Sequence, residues 1–335
     1  MSGPARLDLD PGTPGRTTGA LRLPWSHDGS AYGQLVVPVT VLNGGRGPTA
    51  LLTAGIHGDE YEGQIALARL ARELDPARLA GRLVIVPTAL PPAALAGRRT
   101  SPVDGGNLAR LFPGDPAGPQ TAQLAEGIVR LLLPLADLLV DLHSGGSTLE
   151  YLPCAWGRLP ADPGLAARTL DLLVAFDAPL TAVVRRPEAR GTLVATALEA
   201  GIPAIATELG GGGGVTPSTV AAAVRGVRRV LAAAGLLPPA EPARGTRLLA
   251  VEGGHFVRAP GRGLFEPTVA LGDRVPPGGS VGVLHDPERP GRETEAVHAT
   301  DGGLAICRRV PAMAAPGDVL LHTAADVTRD ALLAG

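Results

Sequence analysis

The sequence predicts an α/β fold, a mixed and mostly parallel sheet flanked by helices, with a smaller β-rich domain at the C-terminal end. Three observations lead there. Between residues 50 and 234, short apolar runs alternate with stretches of helical periodicity, the rhythm of a layered α/β domain. After the joint Leu237-Pro238-Pro239-Ala240-Glu241-Pro242, helical spacing stops and short apolar runs separated by Gly, Pro and Asp take over. The 335 residues suit one large or two ordinary domains; with 45% hydrophobic but only 3% aromatic residues, the core must be built from Leu, Val, Ile and Ala.

Taken in order, residues 1–33 are rich in Pro, Gly and Thr and read as a loosely attached N-terminal arm. Residues 35–42 are strand-like, and Pro38 demotes them to an edge position. They open a main domain, 34–240. Residues 50–55 form a buried strand ended by Gly55, and Ile65, Ala66, Leu67 and Leu70 then recur at helical spacing, so a helix covers 60–73. Strand 82–88, a long irregular segment 89–117, helix 119–133 and strand 137–142 follow. The same rhythm carries on through helix 164–175, strand 180–185, helix 192–200, strand 202–207 and helix 217–234. Segment 241–335 has apolar runs at 247–251, 281–284 and 303–306 and no strong helix, hence its β-rich assignment.

Composition excludes several functions. The net charge is −2, with no dense basic cluster interleaved with aromatics, so no nucleic-acid partner is expected. All of the positive charge is Arg. Cys154 and Cys307 lie far apart, which fits buried, reduced thiols rather than a disulfide framework. The first ten residues contain no apolar core of a signal peptide, and no span approaches transmembrane length, so a soluble cytoplasmic protein without a membrane partner is expected.

In open α/β sheets ligands bind beyond the carboxyl ends of strands, so polar residues directly after apolar runs are the candidates. Three runs qualify: one ends in Ile56-His57-Gly58-Asp59-Glu60, one in Asp141-Leu142-His143-Ser144-Gly145-Gly146, and one in Thr207-Glu208-Leu209 before five glycines. His57, Glu60 and His143 offer two nitrogens and a carboxylate, the three-ligand set of a catalytic zinc that keeps a position for water. Glu208 could serve as general base toward that water, provided it reaches the water rather than the metal. Asp141, two residues before His143 on the same strand face, is placed to hold its ring. Singly, His57 could cap its turn, Glu60 be an ordinary first-turn acid, His143 a satisfied turn histidine and Glu208 a loop acid paired with Arg. Their coincidence at three strand ends favours the chemical reading.

These stretches resemble a known family. His-Gly-Asp-Glu-x-Glu-Gly at 57–63, Asp-Leu-His-Ser-Gly-Gly at 141–146 and Thr-Glu-Leu-Gly-Gly at 207–211 are similar to motifs of the succinylglutamate desuccinylase/aspartoacylase family, relatives of zinc carboxypeptidases. Residues 99–114 resemble its R-x-x-P-x-D-G-x-x-L-N-R-x-F-P-G stretch, and the β tail resembles the C-terminal domain of the N-acetyl-diaminobutyrate deacetylase branch. The resemblance implies a zinc amidohydrolase, one Zn²⁺ per chain, removing an acyl group from a small N-acylated amino acid or amine. By similarity, Arg110 would grip the substrate carboxylate with its planar fork and Arg99 would polarise the scissile carbonyl. Where the family has Asn before the second Arg, this chain has Ala109, and Asn107 is the candidate substitute.

Two rival functions remain at this level: a carboxypeptidase-like hydrolase of a peptide or conjugate, for which Ala109 leaves room, and a non-catalytic module whose β tail joins subunits, so that homo-oligomers stay open. Other features read as structural. Arg185, Arg186 and Arg190 fit a solvated surface better than a substrate contact. The glycine run 210–214 lacks phosphate-loop spacing and marks either close backbone approach or a mobile loop. Tyr61 and Tyr151 read as packing residues, and His255, His285, His298 and His322 show no ligand spacing.

Overall fold

The computed structural model describes residues 3–185 and 191–334. Strands β1 (Arg6–Leu7), β2 (Gly15–Pro24) and β3 (Gln34–Asn43) come first. β2 pairs antiparallel with β3 from Gly15 opposite Asn43 to Pro24 opposite Gln34. The expectation of a loose arm is therefore corrected: Leu21 and Leu23 on β2 are fully buried. Gly and Thr obscured this strand because its fit is set by its neighbours rather than by intrinsic preference. Pro38 does not make β3 an edge. It lies opposite Ala20 of β2, while the ladder on the other side of β3 involves Thr40 to Asn43.

The central elements match the sequence rhythm: β4 (Thr49–Ala54), α1 (Tyr61–Glu73), β5 (Arg82–Val86), a short α2 (Pro91–Leu95), α3 (Gln120–Leu131) and β6 (Leu138–Leu142). Two short strands absent from the sequence reading follow, β7 (Leu149–Tyr151) and β8 (Cys154–Gly157). Then come α4 (Pro163–Ala175), β9 (Leu180–Val184), α5 (Leu193–Glu199), β10 (Ala204–Glu208) and α6 (Pro217–Ala233). In space the strands run β3-β5-β4-β6-β10-β8-β9. β5, β4, β6 and β10 are mutually parallel, and β8 turns antiparallel against β10.

Alternation within the strands explains why they read as continuous apolar runs. Leu51, Val84, Leu139 and Ala204 face a core with Leu124 and Ile128 of α3 and Leu193 of α5. Leu52, Ile85, Val140 and Ile205 face the opposite core, with Leu67 of α1, Leu173 of α4 and Val230 of α6. A sheet covered on both faces has no polar side to show. Helix starts carry the expected punctuation. Asp162 caps α4 ahead of Pro163, and Thr216 caps α6 ahead of Pro217, in a reciprocal box with Thr219.

The C-terminal segment is β-rich, as expected, but it is stitched into the main sheet. β11 (Arg247–Val251) pairs parallel with β9, Arg247 opposite Leu180 through Val251 opposite Val184. Next come β12 (Phe256–Arg258), β13 (Gly263–Pro267), β14 (Arg274–Val275), β15 (Ser280–His285) and β16 (Glu295–His298). β17 (Gly303–Arg309), β18 (Met313–Ala314), β19 (Val319–Asp326) and a short α7 (Arg329–Leu333) complete the chain. β19 pairs with β11, and β17 pairs with both β19 and β7. β16, β15, β13 and β18 form a separate four-stranded antiparallel sheet. No helix among the described residues is long and apolar enough to cross a membrane.

Candidate active site

Because β4, β6 and β10 are adjacent and parallel, their C-terminal ends open on one edge of the sheet. His57 and Glu60 follow β4, His143 follows β6, and Glu208 ends β10. The turn after β4 depends on its glycines. Gly55 has φ +65°, and a Cβ on Gly58 would lie 2.1 Å from the carbonyl carbon of Ala93 in α2. Glu60 sits at the N-cap of α1 without capping it, so its carboxylate is free to turn to the histidines.

Both histidines present Nδ1 to that carboxylate. His57 Nδ1 is 2.6 Å from Glu60 Oε1, and His143 Nδ1 is 2.8 Å from Glu60 Oε2. One ligand atom from each of the three residues falls within 4.8 Å of the others, and the group could hold a metal ion. Its donor set, two imidazole nitrogens and a carboxylate oxygen, fits the borderline character of zinc. The predicted orienting residue is in place: Asp141 Oδ2 is 3.0 Å from His143 Nε2, and Thr53 Oγ1 donates to Asp141 Oδ1 at 2.6 Å. Thr207 Oγ1 fixes the backbone of His143, accepting from its N–H and donating to its carbonyl, each at 3.1 Å.

Electrostatics separate the two carboxylates. Burial alone would raise Glu60, but His57 and His143 outweigh it and hold the group well below the usual carboxylate range. Burial pushes Glu208 well above that range, with the Glu60 charge adding to the shift and His143 and Arg99 opposing it. Glu208 Oε2 is buried with no hydrogen-bond partner among the described residues. Burial lowers His57, whereas His143 is raised because Asp141 and Glu60 overcome the same penalty.

The profile of the succinylglutamate desuccinylase/aspartoacylase catalytic domain matches residues 46–234. The chain belongs to this family. The N-alpha-acetyl-L-2,4-diaminobutyric acid deacetylase of Halomonas elongata is 41% identical over 307 residues, covering 90% of this chain and 89% of that protein. The product-bound ectoine utilization protein EutE (DoeB) of Ruegeria pomeroyi superposes with a TM-score of 0.93 at 38% identity, over 97% of this chain and all (100%) of that one. A succinylglutamate desuccinylase from Silicibacter sp. TM1040 gives 0.93 at 36% identity, over 98% and 100% of the two chains. Membership of this family makes the protein a hydrolase acting on an amide.

The family stretch 99–114 reaches the site through Arg99 and Asn107. Arg99 Nη1 lies 3.2 Å from Glu60 Oε1. Arg110 donates to the carbonyl of Ala109 at 2.8 Å, and burial together with the nearby Arg99 charge lowers its pKa. Ala109 is buried. Asn107 Oδ1 lies 3.2 Å from His57 Nε2 and accepts from Ala109 N at 3.1 Å, so this oxygen steadies His57. Arg185 donates to Ala331 O at 2.5 Å, in keeping with a surface role; Arg186 and Arg190 lie outside the described residues.

Glu62 and Asp59 escaped the sequence reading although both stand in the family's first motif. Glu62 is almost wholly buried and its Oε1 accepts from Gly211 N at 3.0 Å. Asp59 Oδ2 accepts from both N and Oγ of Ser147 at 2.8 Å. Together they anchor the loops after β6 and β10. The glycine run is a close approach: Gly210 to Gly213 all have positive φ, and a Cβ on Gly211 would lie 2.3 Å from Leu149 O. Cys154 and Cys307 are free and buried. Tyr151 is buried with its hydroxyl 3.1 Å from His322 Nδ1. No second metal-binding group of three side chains forms among the described residues.

Proposed function

We propose that this hydrolase is a zinc-dependent deacylase of a small N-acylated amino acid, with His57, Glu60 and His143 holding one zinc per chain and Glu208 as general base. The carrying observation is Glu208, a half-buried side chain with one buried, unpartnered carboxyl oxygen, whose charge neighbours are Glu60, His143 and Arg99. Bound zinc would supply Lewis-acid polarisation and a water of lowered pKa. Glu208 Oε2 takes a proton from the attacking water and returns it to the departing amine nitrogen, a task suited to a carboxyl whose pKa burial has raised. Arg99, beside Glu60, stabilises the developing oxyanion. Arg110 and Arg99 are like charges in a partly buried setting, which favours an anionic guest such as the substrate carboxylate. The name of the Halomonas relative puts N-acetylated diamino acids first among candidate substrates.

Purified protein is expected to carry about one zinc per chain, following the three-ligand donor set. Glu208→Gln is expected to lower turnover of N-acetyl amino acids by about 10²–10⁴-fold with zinc content unchanged. Full activity after complete zinc removal, or an active Glu208→Gln enzyme, would overturn the reading. Faster hydrolysis of short peptides than of N-acetyl amino acids would shift it to the carboxypeptidase-like alternative.

A further inference from the structure

We propose that the outer face of α1 and α6, lined by none of the residues of the candidate active site, is a binding site for a small phosphorylated metabolite. A cavity of about 440 Å³ lies there, within the size range of small-molecule sites. Its lining includes Arg69 from α1, Arg225, Arg228 and Arg229 from α6, and Arg244 from the joint after α6, against two carboxylates, Asp177 and Glu241. Positions 225, 228 and 229 stand three and four residues apart, so α6 stacks three like charges on one face.

The carboxylates do not neutralise this excess. Asp177 accepts from the backbone N–H groups of Arg244 and Gly245, each at 3.1 Å, and lies 3.4 Å from Arg229 Nε. Arg229 Nη1 donates to the carbonyl of Glu241 at 2.7 Å rather than to its carboxylate. Arg69 and Arg228 share the one carboxylate of Glu73, each at 3.3 Å. The side chains of Arg225 and Arg244 have no hydrogen-bond or ion-pair partner among the described residues. The Nε of Arg225 is buried with no hydrogen-bond acceptor, whereas that of Arg229 has only its ion pair with Asp177. A buried N–H donor lacking an acceptor at Arg225, inside a surplus of guanidinium forks, calls for a multiply charged oxyanion, and a phosphate matches that fork geometry. Ala221, Val224, Ala240 and Pro242 supply an apolar wall for an organic remainder, which inorganic phosphate would leave unfilled. The site would span α1, which starts just after Glu60, and α6, which follows the loop after Glu208.

Isothermal titration of the zinc-loaded full-length chain with AMP tests this. Saturable binding is expected, tighter than that of inorganic phosphate or citrate. Arg225→Ala should weaken it at least tenfold while the melting temperature holds, because Arg225 makes no hydrogen bond to lose, and Arg225→Lys should be intermediate. The same binding should survive in Arg110→Ala, which separates it from anion capture at the catalytic edge. Absence of saturable AMP binding, equal affinity of wild type and Arg225→Ala, loss of binding in Arg110→Ala, or citrate binding more tightly than AMP would each overturn the proposal.

Discussion

Asp141 uses its two oxygens for different partners, one accepting from Thr53 Oγ1 at 2.6 Å and the other facing His143 Nε2 at 3.0 Å. A carboxylate behind a ligating imidazole sets its orientation and raises its basicity. Asp141→Asn is therefore expected to weaken metal affinity by about 10–100-fold in a chelator competition assay. An unchanged affinity would remove Asp141 from the site. The contact with His143 was legible because positions two apart on a strand share a face. The contact with Thr53 was not, since it joins residues 88 apart in the chain. Asn107 shows the same boundary: its place near the site was readable from the family stretch, but its engagement with His57 depended on how an irregular segment folds back.

Among the elements, α6 bears on α4 through a single missing side chain. A Cβ on Gly226 would lie 2.4 Å from the ring of Phe176, the C-cap of α4. Alanine gains about 1 kcal/mol over glycine in helix propensity. Forcing a methyl against a buried ring costs about 1–3 kcal/mol, and more when the ring cannot turn away. The clash wins, so Gly226→Ala is expected to shift the urea midpoint downward, and a stabilised variant would show that α6 can slide. The doubly buried strands β4, β6 and β10 were visible as apolar runs because helices cover both of their faces, and β9 because Val183 faces the helices while Leu180 and Ala182 pack against the C-terminal strands. β2, β7 and β8 were missed, being either diluted by Gly and Thr or only three or four residues long.

Across the whole molecule, the C-terminal strands are tied to the catalytic sheet by backbone pairing, and three of them, β11, β14 and β19, are held to one another by one charged cluster. Asp326 on β19 accepts from Arg247 of β11 and Arg274 of β14. Hydrogen bonds from these two guanidiniums lower the Asp326 pKa below its ordinary value of 3.8. The cluster therefore contributes in full above that ordinary value and loses its contribution as pH falls through the lowered one. Asp326 is 46% exposed, so screening limits the effect to about 0.5–1 kcal/mol. Asp326→Asn is expected to lower the melting temperature slightly at neutral pH and to flatten the acid limb of stability below about pH 4. An unaltered acid limb would show that the cluster is solvated rather than structural.

By itself the sequence determined which chemical groups stand at the ends of which strands, because hydrophobic period and turn residues are local properties. His57, Glu60, His143 and Glu208 could each be found that way, and so could the α/β class. Only the tertiary structure decided that β4, β6 and β10 are neighbours, that β2 belongs to the sheet, that β11 continues it, and that five arginines from three segments line one cavity. Strand order and helix docking are settled by burial between segments distant in the chain, and no local spacing encodes that competition.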